Sequence, residues 1–305
     1  MLGKSVPVDA PRTAAHSERT ALWVLRIAWV AHAALAAPAI AQALEDRSRP
    51  VQLVAAGGAW TVWFVGLLAT LVPSTLGLTV LRMILPGALG AALLASATGA
   101  SPITAIAATT VAGVALVIGF SGDVGQVFVG GSAYGDETRL VLRPPGPLLI
   151  GPVPVLGALT VAATIAGPLL LAARAWWWGA IVSLAALALV VLAGRRFHVL
   201  SCRWLVFVPA GLVVHDPFVL AETVMFRRAE VDGVELAEVD TDAADLTGAA
   251  LGTAVEVRLT TAGTVVLAPT RSRPGGTALH VRSFLVSPTR PGRALAEARR
   301  RGVGG

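Results

Sequence analysis

The chain changes its hydrophobic period once. Up to about residue 194 the apolar residues run in long, nearly unbroken stretches, and from residue 197 onward they alternate with polar ones. Six stretches, 21–44, 51–72, 77–97, 102–120, 151–173 and 177–193, approach the ~20 residues a helix needs to cross a ~30 Å hydrocarbon core. A segment that spans a membrane has to satisfy its own backbone hydrogen bonds, so each is predicted to be a helix. Only residues 98–101 separate the third from the fourth, which makes that pair either two full crossings joined tightly or a re-entrant hairpin. The fold class expected is an α-helical transmembrane bundle of about six spans, followed by a small mostly-β domain, a barrel or sandwich, with a C-terminal helix.

In the β part the strand candidates are 198–208, 211–220, 223–226, 233–239, 253–260, 264–268 and 279–286, with turns at Pro209-Ala210-Gly211 and Thr261-Ala262-Gly263. A short basic helix over 293–301 follows Pro291. The organisation predicted is an N-terminal tail (1–20), a transmembrane domain (21–194) and a β domain (195–305). Within the transmembrane domain, the connection 121–150 is long for a loop without a function. Its Gly and Pro content argues against helix, while 138–143 alternates as a short strand does. It carries the chain's one tyrosine, so Tyr134, Asp136, Glu137 and Arg139 form a candidate functional loop. The alternative is an interfacial loop whose arginines pair with lipid phosphates.

Composition agrees with the pattern: 55% of residues are hydrophobic and 14% charged, against roughly 45–50% and 25% in soluble domains. Lys and Arg in short flanking segments set orientation. Lys4, Arg12, Arg19, Arg139, Arg143, Arg195 and Arg196 fall on one side, and Arg47, Arg49 and Arg174 on the other. Both termini are therefore expected in the cytoplasm of a plasma-membrane protein, with Trp176-Trp177-Trp178 in the outer aromatic belt. The net charge is +6, but 14 arginines beside 11 acids from residue 195 onward leave the β part only mildly basic. No concentrated basic face points to nucleic acid. Lys4 is the single lysine, a bias typical of a GC-rich bacterial genome. The lone Cys202 excludes an intramolecular disulfide and a CxxC site, and reads as a small buried hydrophobe. The first apolar run exceeds the ~7–15-residue core of a signal peptide and is expected to stay in place. Small residues at four-residue spacing, Ala91, Ala95, Gly99 and Ala158, Ala162, Ala166, suggest close helix packing or a homo-oligomer.

No Asp or Glu lies within a predicted span, although intramembrane ionisable groups usually mark ion or proton paths. The polar residues there are Arg26 and Arg82, within snorkelling reach of headgroups, and His32, read as neutral and hydrogen-bonded to a neighbouring helix. The acidic run from Glu230 to Asp245 lacks the glycine and glutamate of an EF-hand and reads as a solvated face. His215 and Asp216 are adjacent on a strand and so point to opposite faces. Gly130-Gly131-Ser132-Ala133-Tyr134 fails G-x-S-x-G, and Gly3-Lys4-Ser5 has no phosphate-binding loop before it. His198 and His280 read as isolated strand residues. No catalytic, cofactor or metal residue is assigned. Arg227 and Arg228, and Arg299, Arg300 and Arg301, are candidate contacts for anionic headgroups.

The run RRFHVLSCRWLVFVPAGLVVHDPFVLAETVMFRRAEVDGVELA, residues 195–237, resembles the opening of a bacterial pleckstrin-homology-like domain, with Gly211, Val231 and Val234 at the pattern's turn and "V-x-x-V" strand. The whole chain is similar to uncharacterised multi-pass membrane proteins of actinobacteria. The resemblance covers about a third of the chain for the domain, and six spans depart from the usual pair. It implies a small β module for binding or assembly. The expected function is a non-enzymatic membrane protein whose cytoplasmic β domain binds a partner protein or the inner leaflet. A transporter or channel subunit would instead need a polar cavity lined by His32, Thr109, Thr110 and Arg82. An enzyme at the bilayer surface would act through Asp136 or Glu137.

Overall fold

The computed structural model describes residues 10–269 and 274–304, so Lys4 and the Gly3-Lys4-Ser5 run lie outside the described residues. Two compact units emerge. One holds Glu18–Phe128 and Gly151–His198; the other holds Val129–Ile150 and Val199–Gly305 together with the described residues of Met1–Ser17.

The helices in chain order are α1 (Ala10–Ala43), α2 (Arg49–Leu71), α3 (Thr75–Thr98), α4 (Pro102–Gly119), α5 (Gly122–Gly130), α6 (Gly146–Ile150), α7 (Pro152–Ala172), α8 (Trp176–Ser201) and α9 (Pro291–Arg301). Six segments are long and apolar enough to cross a membrane: α1 from His16, α2, α3, α4, α6 with α7, and α8. The α3 and α4 helices both qualify as crossings by length. Local chemistry sets their ends. Proline opens α2, α4 and α7, where its missing N–H costs nothing. Ser74 Oγ caps α3 by accepting from the Gly77 N–H at 3.0 Å.

The α1–α2 pair is held by an exchange of hydrogen bonds. Trp29 Nε1 donates to the Trp63 carbonyl and Trp63 Nε1 to the Trp29 carbonyl, both at 2.9 Å. Gly66 permits that approach, because a Cβ there would lie 2.5 Å from the Trp29 ring. At the helix ends, Gln52 Nε2 donates to the carbonyls of Leu44, Glu45 and Arg47, and Gln42 Oε1 accepts from Ser101 N and Thr104 Oγ1. An alanine layer, Ala36, Ala39, Ala92, Ala95, Ala108 and Ala112, joins α1, α3 and α4. Ala95 of the expected small-residue stripe is in this layer. Ala158 and Ala162 instead face outward, and α7 meets α8 through Gly167 against Ser183 and Gly179 against Leu171. Large apolar side chains such as Ile27, Phe64, Ile103, Val117 and Leu184 cover the outside of this unit, as a lipid-facing surface requires.

The β unit contains β1 (Thr138–Val141), β2 (Trp204–Val208), β3 (Gly211–His215), β4 (Val224–Arg227), β5 (Val231–Leu236), β6 (Ala244–Asp245), β7 (Val255–Leu267) and β8 (Thr277–Val286). The first sheet is antiparallel in the order β1-β2-β3-β4; the second runs β5-β7-β8-β6, with β6 parallel to β8. The sheets are not closed into a barrel. Alternate residues of both, among them Leu140, Leu205, Phe207, Leu212, Phe226, Val257 and Phe284, share one core with Ala294 and Ala298 of α9. Gly211, at φ +155°, makes the β2–β3 turn in close contact with the Phe226 carbonyl, where a side chain has no room.

Several expectations change here. The connection 121–150 contains a helix, α5, despite its glycines, because Val124, Phe128 and Val129 bury a face completely. Its strand, β1, belongs to the β unit and pairs with β2, with Leu140 opposite Leu205 and Arg139 opposite Val206. The α8 helix continues past residue 195 to Ser201, so the first strand of the C-terminal part starts at Trp204. His198 is accordingly helical and meets Thr79 Oγ1 through Nδ1 at 3.1 Å. Residues 253–260 and 264–268 join in one strand, and the turn expected at Thr261-Ala262-Gly263 is an irregularity in the β7–β8 ladder, since β8 pairs along both halves. Cys202 is only partly buried.

Candidate functional site

Of the four residues proposed from the 121–150 connection, Asp136 joins a polar cluster that binds β1 to α9, while Glu137 and Arg139 pair with each other. The cluster centres on α9, whose one-turn spacing puts Glu297, Arg300 and Arg301 on the same side. Arg301, with only 6% of its side chain exposed, donates to Glu297 Oε1 at 2.6 Å, to Asp136 Oδ1 at 3.0 Å and to Thr138 Oγ1 at 3.3 Å. Thr138 Oγ1 in turn donates to Glu297 Oε1 at 2.8 Å, and Arg300 adds a bidentate contact. Burial by itself would raise the Glu297 pKa; hydrogen bonds from Arg300, Arg301 and Thr138 and the Arg300 charge outweigh it and hold the carboxyl at about 2. Of the arginines expected to meet headgroups, Arg301 is thus buried in the fold, whereas Arg300, though paired with Glu297, stays exposed, as does Arg299.

Glu137 closes the turn before β1, accepting from the Tyr134 N–H at 2.6 Å and from Arg139 Nε and Nη2 at 3.0 and 2.7 Å. The Tyr134 ring itself stands in solvent. Arg139 then lies over the Trp204 ring, 5.4 Å from its centroid. Trp204 stacks on His215 at 4.8 Å, and His215 Nδ1 meets Thr223 Oγ1 at 2.7 Å.

These groups line an open depression of about 200 Å³ on the outer face of the first sheet, completed by Val206, Val208 and Val213. The register explains the lining: Trp204 pairs with His215 and Val206 with Val213, while Leu205, Phe207, Leu212 and Val214 turn inward. Burial lowers the His215 pKa, against the Asp216 charge and with that of Arg139, which favours the neutral ring. The depression has an aromatic and aliphatic wall with the paired Glu137 and Arg139 at its side, but no activated nucleophile.

Asp216 points the other way, as strand alternation requires. It forms a bidentate pair with Arg203 at 2.8 and 2.7 Å, each side chain 1% exposed. Arg203 also donates to the carbonyls of Arg143 and Thr247, and Asp216 accepts from the N–H groups of Phe218 and Val219. Four chain segments meet at this pair, and nothing of it is left over for chemistry. Sequence reasoning passed over Arg203; the one signal was a lone charge inside the apolar run before Trp204.

Of the remaining candidates, Arg227 and Arg228 are exposed, with Arg228 donating to the Pro209 carbonyl. The acidic run is solvated but partly paired: Glu235 meets Arg258 at 2.6 Å, and Asp245 accepts from Thr247 N at 2.7 Å. Among the described residues no group of three His, Cys, Asp or Glu side chains is placed to hold a metal ion.

In the helical unit, Arg26 donates twice to the Thr70 carbonyl, at 2.8 and 3.2 Å, satisfying an acceptor in the last turn of α2. His32 is 8% exposed and stacks on Trp29; its Nδ1 has no hydrogen-bond partner, in place of the interhelical bond expected. Arg82 leans on Phe120, 5.6 Å from the ring. Thr109 bonds to carbonyls of its own helix and Thr110 is exposed, so none of the hydrogen bonds or ring contacts of these residues joins one to another.

Compared with known proteins, the chain matches no family, no curated protein and no solved structure.

Proposed function

We propose that this chain is a non-enzymatic plasma-membrane protein whose β unit, placed with both termini in the cytoplasm, is a pleckstrin-homology-like module that binds a partner protein or the inner leaflet. The observation that carries the reading is where the polar groups go. Asp136, Glu137, Asp216 and Glu297, the acids best placed for chemistry, are each committed to an arginine, and all of these pairs but the local Glu137–Arg139 one tie elements of the fold together. What the unit leaves open is the depression walled by Arg139, Trp204, Val213 and His215, a surface suited to recognition. A two-sheet core closed by a C-terminal helix supports the pleckstrin-homology-like assignment. A transporter or channel subunit has weaker support, because His32, Arg82, Thr109 and Thr110 make no shared polar contact.

A photo-crosslinking amino acid in place of Met225, exposed opposite Val213 on the same sheet face, tests the reading in native membranes. One dominant protein or phospholipid adduct, lost on Trp204→Ala, is the expected result. Labelling no different from that of the same probe at Val239, a fully exposed residue of the acidic run, would remove the support for a binding face.

A further inference from the structure

Arg82 is the one arginine of the helical unit whose setting the fold does not explain. It lies on α3, seven residues after Thr75, which places it about 10 Å along the helix axis. Its neighbours Leu78, Leu81 and Leu85 are fully buried, with Leu85 filling the space left by Gly119 of α4. The guanidinium rests against the Phe120 ring, and its Nη2 is so close to α5 that a Cβ on Gly125 would come within 3.2 Å. Nε is shielded from solvent and has no hydrogen-bond partner. Among the described residues no carboxylate forms an ion pair with Arg82 and no acceptor takes its other donors. The side chain is nonetheless partly exposed, so its outer edge is reachable.

A shielded guanidinium without an anion is unfavourable, because burial removes water that nothing replaces. Arg26, well inside its own helix, solves the same problem with the Thr70 carbonyl. Arg82 has no such acceptor. Its fork of donors matches the oxygens of a phosphate, which it can engage two at a time. Glycine at position 125 keeps a Cβ from crowding Nη2.

We infer that Arg82, between α3, Phe120 and the first turn of α5, is a binding site for a phosphate group. The site is independent of the β unit and of what that unit binds. Two sources supply the chemistry, a phospholipid headgroup and free phosphate, and the test separates them.

The full chain is taken from membranes of defined phosphatidylglycerol and phosphatidylcholine content, and retained lipid is measured by native mass spectrometry. Melting of the delipidated protein is followed with and without inorganic phosphate. The expected result is one retained phosphatidylglycerol, or a melting point raised by phosphate, with the effect cut about tenfold in Arg82→Gln and left unchanged in Arg174→Gln. Retention of lipid identifies the headgroup as the source, and a phosphate effect without retained lipid identifies the free anion. Equal retention by wild type and a folded Arg82→Gln overturns the inference. Should Arg82→Gln not fold, the wild type alone decides: neither retained phosphatidylglycerol nor a response to phosphate also overturns it.

Discussion

At the residue scale, the β unit depends on charges that are buried and paired. Removing one member of such a pair leaves the other uncompensated, at a cost of about 3–5 kcal/mol. Asp216→Ala strands Arg203 in this way and also frees the N–H groups of Phe218 and Val219. Denaturant unfolding of the full chain in detergent should show a loss of that size for the β unit, and a change under 1 kcal/mol would mean the pair is dispensable. Glu297 makes a different prediction. Its folded-state pKa, about 2, lies below the ordinary value of 4.5. A depressed carboxylate stabilises the fold above its unfolded pKa and loses that contribution as pH falls toward the folded one. Stability should therefore decline between about pH 4.5 and pH 2, and Glu297→Gln should be less stable at pH 7 with a flatter profile over the same window. In the helical unit, Gly66→Ala pushes a methyl into the Trp29 indole. Overpacking of this kind costs typically about 1–3 kcal/mol, readable as a lower melting point.

At the scale of elements, β1 is the decisive piece. It comes from the connection between α4 and α7, yet Leu140 and Leu142 are buried in the core built by β2 to β8 and α9. A fragment beginning at Val199 would lack both leucines and leave the β2 edge open, an invitation to aggregation. Burying each leucine stabilises by roughly 1.5–3 kcal/mol. Fragment 199–305 should therefore be expressed mainly as aggregate, and joining 133–146 to it through a flexible linker should restore a soluble, cooperatively unfolding domain. Equal behaviour of the two fragments in size-exclusion chromatography would show that β1 adds nothing.

At the scale of the whole molecule, one sheet made from two distant stretches constrains topology. Residues 138–141 and 204–227 share hydrogen bonds, so they lie on the same side of any membrane, and the two long helices between them must together return the chain to where it left. The proposed orientation, read from the charge distribution, puts that side in the cytoplasm. A reporter fused after Gly305 should be active only in a cytoplasmic format, as should one inserted at Gly135, an exposed turn position. A split result, one inside and one outside, contradicts the sheet itself.

What the sequence determined by itself was whatever depends on a stretch considered alone. The spans were legible because twenty consecutive apolar residues are costly anywhere but in lipid or a core, and the strands of the C-terminal part because alternation places every second side chain on one face. Asp136, Glu137 and Arg139 could be singled out in the sequence, but the bond from Asp136 to Arg301 could not, since nothing local links 136 to 301. Only tertiary structure decided that β1 belongs with β2, that Arg203 and Asp216 close on each other, and that α5 is helical in spite of its glycines. Each of these depends on contacts between segments far apart in the chain, where burying Leu140, Phe128 or a fully bonded ion pair outweighs local propensity.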